Sequence, residues 1–272
     1  MLYSPQQTGE FAPERLRYLL VRLDDHVLTI TLNRPEKKNA LHPALLNELA
    51  FALAWAHHEK TVWMVVLAAA GDVFCAGMDL KSLTSGGQEE ETVPPPSGPV
   101  RLAEVMTGLQ KPCIARVQGP VYAGGFLLVC GCTHVVAADS ATFSLPEVKR
   151  GLFPFQVLAS LLEIMPARAA LDLCLRARTL TAPEALALGL VTETVSAAEL
   201  DTAVERLTTE LKQYSPTAMQ FGLRAYRQLK SLPPDGQQAF LYEQFQQIQQ
   251  TADAREGMAA FLEKRPPVWS GE

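Results

Sequence analysis

Two glycine-containing turns are the strongest candidates for chemistry in this sequence. One spans Val73-Phe-Cys-Ala-Gly-Met-Asp-Leu80 and the other Ala123-Gly-Gly-Phe126, and each follows an apolar, strand-like segment and precedes a predicted helix. Glycine lets the backbone approach a ligand closely, and the first N–H groups of a helix are free to point at an oxygen. Side by side, the two turns could aim two N–H donors at one carbonyl oxygen, which would form an oxyanion hole. Loss of one donor from such a hole typically lowers the rate by roughly 10²–10³-fold.

Simpler interpretations exist for each candidate. A single glycine turn more often only reverses the chain, and neither turn matches the G-x-G-x-x-G or G-x-x-x-x-G-K-[ST] pattern of a nucleotide site. Glu147 is a candidate acid or base, but its residue type alone favours an ion pair with Lys149 or Arg150 on a solvated loop. No serine or cysteine has an evident histidine partner, and the adjacent His57 and His58 point to different faces of a helix. A catalytic triad and a metal site are therefore not predicted.

The composition excludes several classes of function. The chain has 272 residues, of which 48% are hydrophobic and 19% charged, so it can form one large globular domain or two smaller ones. A net charge of -5 and the lack of a basic stripe argue against nucleic-acid binding. The first 16 residues lack the features of a secretory signal, and no apolar run approaches the roughly 20 residues needed to span a bilayer. We therefore expect a cytoplasmic protein with neither nucleic-acid nor membrane partners.

Cysteine usage agrees with a reducing compartment. The five cysteines form no C-x-x-C pair and are odd in number, so we predict reduced thiols rather than a disulfide framework or a zinc site. They are Cys75, Cys113, Cys130, Cys132 and Cys174.

The elements that must position these residues alternate between strands and helices. Residues 18 to 23 and 27 to 32 predict an antiparallel hairpin, and a long helix is expected over 43 to 58. Further strands are predicted at 63 to 68, 113 to 117, 134 to 138 and 190 to 195. Residues 84 to 99 combine glycine, acidic residues and a proline run, which predicts a mobile loop. This order indicates α/β architecture with parallel pairing.

The last third of the chain is predicted to be mainly helical. Thr181 and Glu184 form a capping box at the start of one helix, and Gly189 follows its end. Four more helices are expected at about 197 to 214, 216 to 230, 236 to 252 and 254 to 264. A soft boundary near residue 200 separates a core (1-200) that contains the candidate site from a C-terminal helical region (201-272).

Five separated motifs, in order, resemble those of the crotonase, or enoyl-CoA hydratase/isomerase, family. They are Asn33-Arg-Pro-Glu-Lys-Lys-Asn-Ala-Leu41, Phe74-Cys-Ala-Gly-Met-Asp-Leu-Lys81, Gln118-Gly119 with Gly124-Gly125, Phe143-Ser-Leu-Pro-Glu147 and Phe261-Leu-Glu-Lys-Arg265. The resemblance covers the chain from about residue 16. It implies a crotonase (ClpP-like) spiral of β-β-α repeats and a C-terminal helical region that builds homotrimers or dimers of trimers. It also implies an acyl-CoA thioester substrate, so coenzyme A is part of the substrate and no separate cofactor is expected.

The resemblance also assigns roles to individual residues. It implies that the backbone N–H groups of Met78 and Gly124 hold the thioester oxygen and that Glu147 is the catalytic acid/base. Apolar neighbours, Leu127 and Phe153 among them, are expected to contact the substrate and to raise the pKa of Glu147. The implied coenzyme A contacts are Ala76, Asp79, Leu80 and Lys81, together with Phe261 and Lys264, which match tail positions that can complete a neighbouring subunit's site.

The sequence departs from the family's hydratases at one catalytic position. Those enzymes use two glutamates, and the first of them falls here on Leu127, while the second is present as Glu147. Hydration is served by two groups, whereas one base suffices to take and return the proton that moves a double bond. We therefore predict an isomerase of the Δ3-Δ2-enoyl-CoA type.

Two alternatives stay open. Some relatives that act on branched or glutaconyl-type thioesters also lack the first glutamate and still hydrate, so a hydratase using Glu147 alone is the second prediction. A non-catalytic acyl-CoA-binding subunit is the third.

The acyl pocket is also expected to differ from that of many relatives. The segment Phe155-Gln-Val-Leu158 replaces a glycine-rich continuation that many of them carry, which suggests an altered acyl pocket.

Overall fold

The computed structural model describes residues 1–85 and 91–272. Within this part of the chain, nine strands form two sheets. The strands are β1 (Leu19–Asp24), β2 (Val27–Leu32), β3 (Met64–Ala69), β4 (Cys113–Val117), β5 (Val121–Tyr122), β6 (His134–Ala138), β7 (Thr142–Ser144), β8 (Thr179–Thr181) and β9 (Glu193–Val195).

Helices flank these strands and make up most of the C-terminal third. They are α1 (Pro5–Thr8), α2 (Pro43–His58), α3 (Leu80–Ser85), α4 (Leu102–Gly108), α5 (Gly125–Gly131), α6 (Phe155–Leu161), α7 (Ala167–Arg176), α8 (Ala182–Ala187), α9 (Leu200–Leu211), α10 (Pro216–Leu229), α11 (Pro234–Ile248) and α12 (Ala252–Glu263). Of the helices described, none is long and apolar enough to cross a membrane.

The larger sheet has six strands in the order β1-β2-β3-β4-β6-β9. Its first pair is the predicted antiparallel hairpin, in which Asp24 pairs with Val27 and the two loop residues, Asp25 and His26, both have positive φ. Such a loop matches the twist of the strands that it joins. The remaining neighbours pair in parallel, so the carboxyl ends of β2, β3, β4 and β6 lie at one edge.

The central strands β3, β4 and β6 are buried on both faces, and in β3 alternate residues pack against different helices. Val65 and Leu67 of β3 belong to the main core, which α2 completes, whereas Met64 and Val66 pack in a second cluster that includes residues of α9. The two-residue period of a strand therefore divides β3 between two cores.

The smaller sheet, ordered β5-β7-β8, is the element that positions the candidate site. β5 pairs with β7 in parallel, with Val121 opposite Phe143 and Tyr122 opposite Ser144. The second glycine turn leaves β5 directly, and Glu147 lies three residues beyond the end of β7. One strand pair therefore carries both segments.

Most of the predicted elements are confirmed. Helix α2, the hairpin and the strands at 113 to 117 and 134 to 138 lie where they were expected, and the Thr181–Glu184 capping box opens α8. The last predicted strand is shorter, spanning only Glu193–Val195, and the predicted loop is wrong at its start because α3 extends to Ser85. Residues 91–99 contain neither helix nor strand, and residues 86–90 of that loop lie outside the described residues.

The C-terminal helices leave large apolar side chains exposed on the single chain. The most exposed is Phe261, with 82% of its surface accessible. The others on α10 to α12 are Tyr226, Tyr242, Phe245, Met258 and Leu262. The trimer and the division of the chain at residue 200 stay predictions.

Candidate active site

A cavity of about 900 Å³ is lined by residues of both glycine turns and by Glu147. It brings together seven of the residues predicted from the sequence. These are Ala76, Met78, Leu80, Gly124, Leu127, Glu147 and Phe153.

The first turn is held in place by the segment before α2. Leu41 donates its N–H to the carbonyl of Gly77 (2.8 Å) and accepts from the N–H of Asp79 (2.8 Å). In this parallel bridge, the N–H of Met78, the residue between them, points away from Leu41. The Asn39 amide adds two hydrogen bonds of 2.8 Å, to the carbonyls of Ala70 and Val73.

The two turns touch because Gly77 has no side chain. Its φ is +85°, and a Cβ atom there would lie 2.6 Å from the Cβ of Ala123 and 3.1 Å from the nitrogen of Gly124. A Cβ built on Gly124 would in turn lie 3.6 Å from the Met78 nitrogen. Within the described part of the chain, neither the Met78 nor the Gly124 N–H makes a hydrogen bond. Two unsatisfied backbone donors therefore border the cavity close to each other.

The second turn is fixed by the small sheet. Ala123 donates its N–H to the carbonyl of Ser144 (3.1 Å) and adopts a left-handed conformation with φ of +50°. Such a conformation is unfavourable for a residue with a side chain and is retained only where the surroundings enforce it. Gly125 then starts α5 against Cys75, whose Cβ would lie 2.9 Å from a Cβ at that position.

Glu147 is half-buried, and its Oε2 atom is buried without a hydrogen-bond partner among the described residues. Burial raises the pKa of the carboxyl above its usual value of 4.5, although its own backbone N–H and the charge of Arg150 oppose the rise. No ion pair joins Glu147 to Lys149 or Arg150, all three of which are described. The solvated ion pair that the residue type alone suggested is therefore absent.

Apolar side chains share the cavity wall with this carboxyl. Leu127, at the position of the first glutamate of the family's hydratases, is 6% exposed and lines the cavity together with Phe153. Glu147 is the only carboxylic acid in the cavity wall, as far as the described residues go. A carboxyl of raised pKa in the same cavity as two N–H donors without hydrogen bonds suits proton transfer next to a carbonyl group.

Four predicted site residues lie outside the cavity wall. Asp79 forms an ion pair with Arg34 (2.7 Å) and accepts the N–H of Lys81 (3.1 Å), and the bond from Arg34 holds the pKa of Asp79 below its usual range. Lys81 is exposed next to the wall. Phe261 and Lys264 are exposed at the end of α12. Their predicted contacts with coenzyme A stay predictions.

Several polar residues of the wall were not assigned to the site by sequence reasoning, and three of them lie close to the two glycine turns or the Glu147 motif in sequence. These three are Lys38, Tyr122 and Ser144. Each lies within a motif already singled out or next to one, and Tyr122 and Ser144 are the paired ends of β5 and β7. Tyr122 and Ser144 reach the cavity because β5 pairs with β7. Strands this short leave no periodic pattern in the sequence, so the pairing could not be predicted. No cluster of three or more metal-ligating side chains occurs among the described residues.

Comparison with known families and proteins gives a consistent result. The family model described as enoyl-CoA hydratase/isomerase matches residues 22–272. The enoyl-CoA hydratase EchA19 of Mycobacterium tuberculosis is 34% identical over 91% of this chain and 94% of its own length. The carnitinyl-CoA dehydratase of Escherichia coli O157:H7 is 32% identical over 90% of this chain and 95% of its own.

A solved structure agrees with these sequences. The enoyl-CoA hydratase of Mycobacterium smegmatis superposes with a TM-score of 0.83 at 30% identity, covering 93% of this chain and 99% of that one. The α/β crotonase-type fold predicted from the motifs is thereby confirmed.

Proposed function

Because the chain belongs to the enoyl-CoA hydratase/isomerase family, we propose that it moves the double bond of an enoyl-CoA thioester, as a Δ3-Δ2-enoyl-CoA isomerase-type enzyme. The observation that carries this proposal is the position of Glu147. It is the one carboxyl found in the described cavity wall, and Leu127 lines the same wall at the position where the family's hydratases carry their first glutamate. A single base can take a proton and return it elsewhere, which is all that moving a double bond requires.

The reaction begins with proton removal from the substrate. The Glu147 carboxylate takes a proton from C2 of a 3-enoyl thioester, and the electron pair moves onto the thioester oxygen. The N–H groups of Met78 and Gly124 stabilise the resulting enolate, because two unsatisfied donors at the cavity wall are available to its oxygen.

The same carboxyl completes the reaction. Protonated Glu147 returns its proton to C4, the electrons leave the oxygen, and the double bond then lies between C2 and C3. No atom is gained or lost overall. A carboxyl whose pKa is raised by burial is better matched to this two-way transfer near neutral pH than an ordinary glutamate.

The coenzyme A portion is assigned to the first turn. Ala76 and Leu80 line the cavity, and Lys81 continues the same segment at the surface, where its charge can meet the anionic groups of coenzyme A. In a homotrimer, Phe261 and Lys264 of a neighbouring subunit would complete this part of the site. Asp79 contributes by holding the segment through Arg34.

A hydratase is the second candidate, and the names of two relatives favour it. EchA19 is called an enoyl-CoA hydratase and the Escherichia coli relative a dehydratase. In that reaction Glu147 alone would have to activate the water that attacks C3 and to deliver a proton to C2.

The experiment is a pair of assays on purified protein. With 3-enoyl-CoA we expect conversion to 2-enoyl-CoA, and Glu147→Gln should lower the rate by about 10²–10⁴-fold. Glu14→Gln, which changes an exposed glutamate, is the matched control and should leave the rate unchanged. Turnover of 2-enoyl-CoA to a hydrated product without any conversion of 3-enoyl-CoA would replace the isomerase proposal with the hydratase. Absence of solvent deuterium at the α-carbon of every thioester would favour the non-catalytic subunit.

A further inference from the structure

A second cavity, of about 670 Å³, lies between α10 and the segment that joins α5 to β6. Residues 129–133 form part of its wall together with Gly189, Leu190 and Thr192. Its charged groups are Arg227, Lys230 and Glu163. Among the described residues, none lines both this cavity and the candidate active site. We call it the Arg227 cavity.

Arg227 is the unusual residue of this cavity. Its Nη1 atom is buried without a hydrogen-bond partner, and its guanidinium forms no ion pair with any described residue. Burial lowers the pKa of Arg227, but a guanidinium stays protonated in proteins, so the charge persists. Arg227 as a whole is half-buried, so its charge is partly desolvated without a partner, which is costly, and the residue lines an open volume.

The other groups of the wall do not neutralise Arg227. The Lys230 Nζ atom lies 2.7 Å from Glu163 Oε2, so these two charges cancel each other. Burial raises the pKa of the Cys130 thiol, and a hydrogen bond with Cys113 together with burial raises that of Cys132. Both thiols are therefore uncharged at neutral pH. One positive charge remains.

Three hydroxyl groups of the wall are already engaged in the fold. Thr133 Oγ1 donates to the carbonyl of Cys113 (2.9 Å), Thr192 Oγ1 donates to the carbonyl of Val135 (2.9 Å), and Ser231 donates to Gln228 (2.8 Å). These three hydroxyls already donate within the fold, whereas the buried Nη1 atom of Arg227 has no partner.

We propose that the Arg227 cavity binds a small organic or inorganic oxyanion, whose carboxylate or phosphoryl group is held by the Arg227 guanidinium. The planar fork of a guanidinium matches two oxygens of either group, and charge-assisted hydrogen bonds of this kind are roughly twice as strong as neutral ones. The volume leaves room for the rest of a small metabolite beyond the charged group.

The test measures thermal unfolding with inorganic phosphate or citrate against chloride of equal ionic strength. Phosphate and citrate distinguish the two oxyanion chemistries. We expect at least one of them to raise the midpoint of the wild-type protein, and Arg227→Met to abolish that shift. In chloride alone, R227M should unfold no earlier than wild type, because it removes an uncompensated buried charge while keeping an apolar stem.

Arg224→Gln is the matched control. Arg224 lies on the same helix, but its guanidinium packs over the Phe221 ring at 4.3 Å and lies outside the cavity wall. R224Q should keep the anion-dependent shift. Calorimetric titration with the active probe should show at least a tenfold loss of affinity in R227M and none in R224Q. If R227M does not fold, Arg227→Lys, which keeps the charge but not the fork, should also weaken binding.

Three results would overturn the proposal. The first is that neither probe raises the unfolding midpoint of the wild-type protein. The second is that the midpoint shifts equally in wild type and R227M, or, where R227K is used instead, that its affinity equals that of wild type. The third is a change in molar mass of R227M by light scattering, which would show that Arg227 meets a carboxylate of another subunit instead of a small ligand. We expect the mass to be unchanged.

Discussion

The Nη1 atom of Arg34 lies 2.7 Å from the Oδ2 atom of Asp79, and only 11% and 16% of the two side chains are exposed. Arg34 follows β2, and Asp79 follows Met78 in the first glycine turn. Arg34 also donates to the carbonyl of Ala40 (3.1 Å), so one side chain links three segments. The ion pair therefore fixes the backbone at one of the two proposed oxyanion donors.

Replacing Asp79 should harm both stability and activity. Asp79→Asn leaves the Arg34 guanidinium without its carboxylate in a largely buried place, and breaking such a pair costs about 3 kcal/mol. We also expect a fall in kcat, because the Met78 N–H loses its support. Denaturant unfolding and steady-state kinetics on the same preparations would measure both effects.

Asp24→Asn is the control for that comparison. The Arg22–Asp24 pair is 3.0 Å long, but its side chains are 79% and 71% exposed, so its loss should cost less than about 1 kcal/mol. Equal losses in D24N and D79N would contradict the structural role of the buried pair.

The contribution of Asp79 to stability should also depend on pH. Because the pKa of Asp79 is lowered in the folded protein, its stabilisation is full above the unfolded pKa and should fade as the pH falls through the lowered value.

Adding one methyl group at Gly77 should separate the two turns. Gly77→Ala would place a Cβ 2.6 Å from that of Ala123 at a φ of +85°, and the clash together with the left-handed strain should cost about 3 kcal/mol. Activity should fall further than stability alone explains, since the Gly124 nitrogen is 3.1 Å from the new atom. Unfolding free energies and kcat/KM measure the two effects.

Gly222 provides the matched comparison for G77A. It lies within α10, and a Cβ there would meet nothing within 4 Å. Gly222→Ala should therefore stabilise the protein by about 1 kcal/mol, because alanine is the better helix former. If G77A were as harmless as G222A, the close approach of the two turns would be wrong.

The activity should depend on pH through Glu147. Its carboxylate is the proposed base, so kcat/KM should fall as the pH drops through its pKa, which burial places above 4.5. A pH–rate profile with saturating and limiting substrate would measure this value. A profile that stays flat down to the ordinary glutamate pKa would exclude Glu147 as a buried base.

The same shift predicts a pH-dependent effect on stability. The folded protein binds the Glu147 proton more tightly than the unfolded chain, so this group's stabilisation is full below the unfolded pKa and is lost as the pH rises through the folded value. The Glu147→Gln variant has no titratable group at this position, so its stability does not change with pH in this way. The stability of E147Q relative to wild type should therefore increase from pH 5 to pH 8, which urea titrations across about that range can follow.

Restoring a second carboxyl should change the balance between products. Leu127 is 6% exposed, so Leu127→Glu buries a new acid and should cost about 3 kcal/mol. Beside Glu147 it supplies the second group that hydration uses, and the ratio of hydrated to isomerised product should rise. Leu127→Gln is the control, because glutamine has nearly the same volume as glutamate and carries no titratable group. An equal rise in L127Q would show that the carboxyl is not the cause.

Local pattern predicted the longer elements well. The apolar spacing and the proline at the start identified α2 to the residue, and β4 and β6 were found as apolar runs. The strands β5, β7 and β8 were missed because two or three residues cannot show a two-residue period. Their structure depends on pairing between segments that lie far apart in sequence.

The candidate site was predicted only in part, because some of its residues meet through pairing between segments that are distant in sequence. The motifs placed Met78, Gly124, Leu127 and Glu147 together, and one cavity contains all four. Tyr122 and Ser144 could not be foreseen, since they meet only through the β5–β7 pair. The Arg227 cavity was equally hidden, because it arises where α10 passes a distant part of the core and no local pattern encodes that contact.

The parallel pairing of Tyr122 with Ser144 has a consequence for how this protein can diversify. It spaces the proposed oxyanion turn and the loop of Glu147 through backbone alone, whereas Phe155 and Val157 contribute side chains to the same wall from α6. Under the proposed function, the groups that perform the reaction and the apolar side chains that α6 adds to the wall therefore belong to different pieces of chain. Substitutions in α6 are the way to alter the acyl pocket while the β5–β7 pairing is kept.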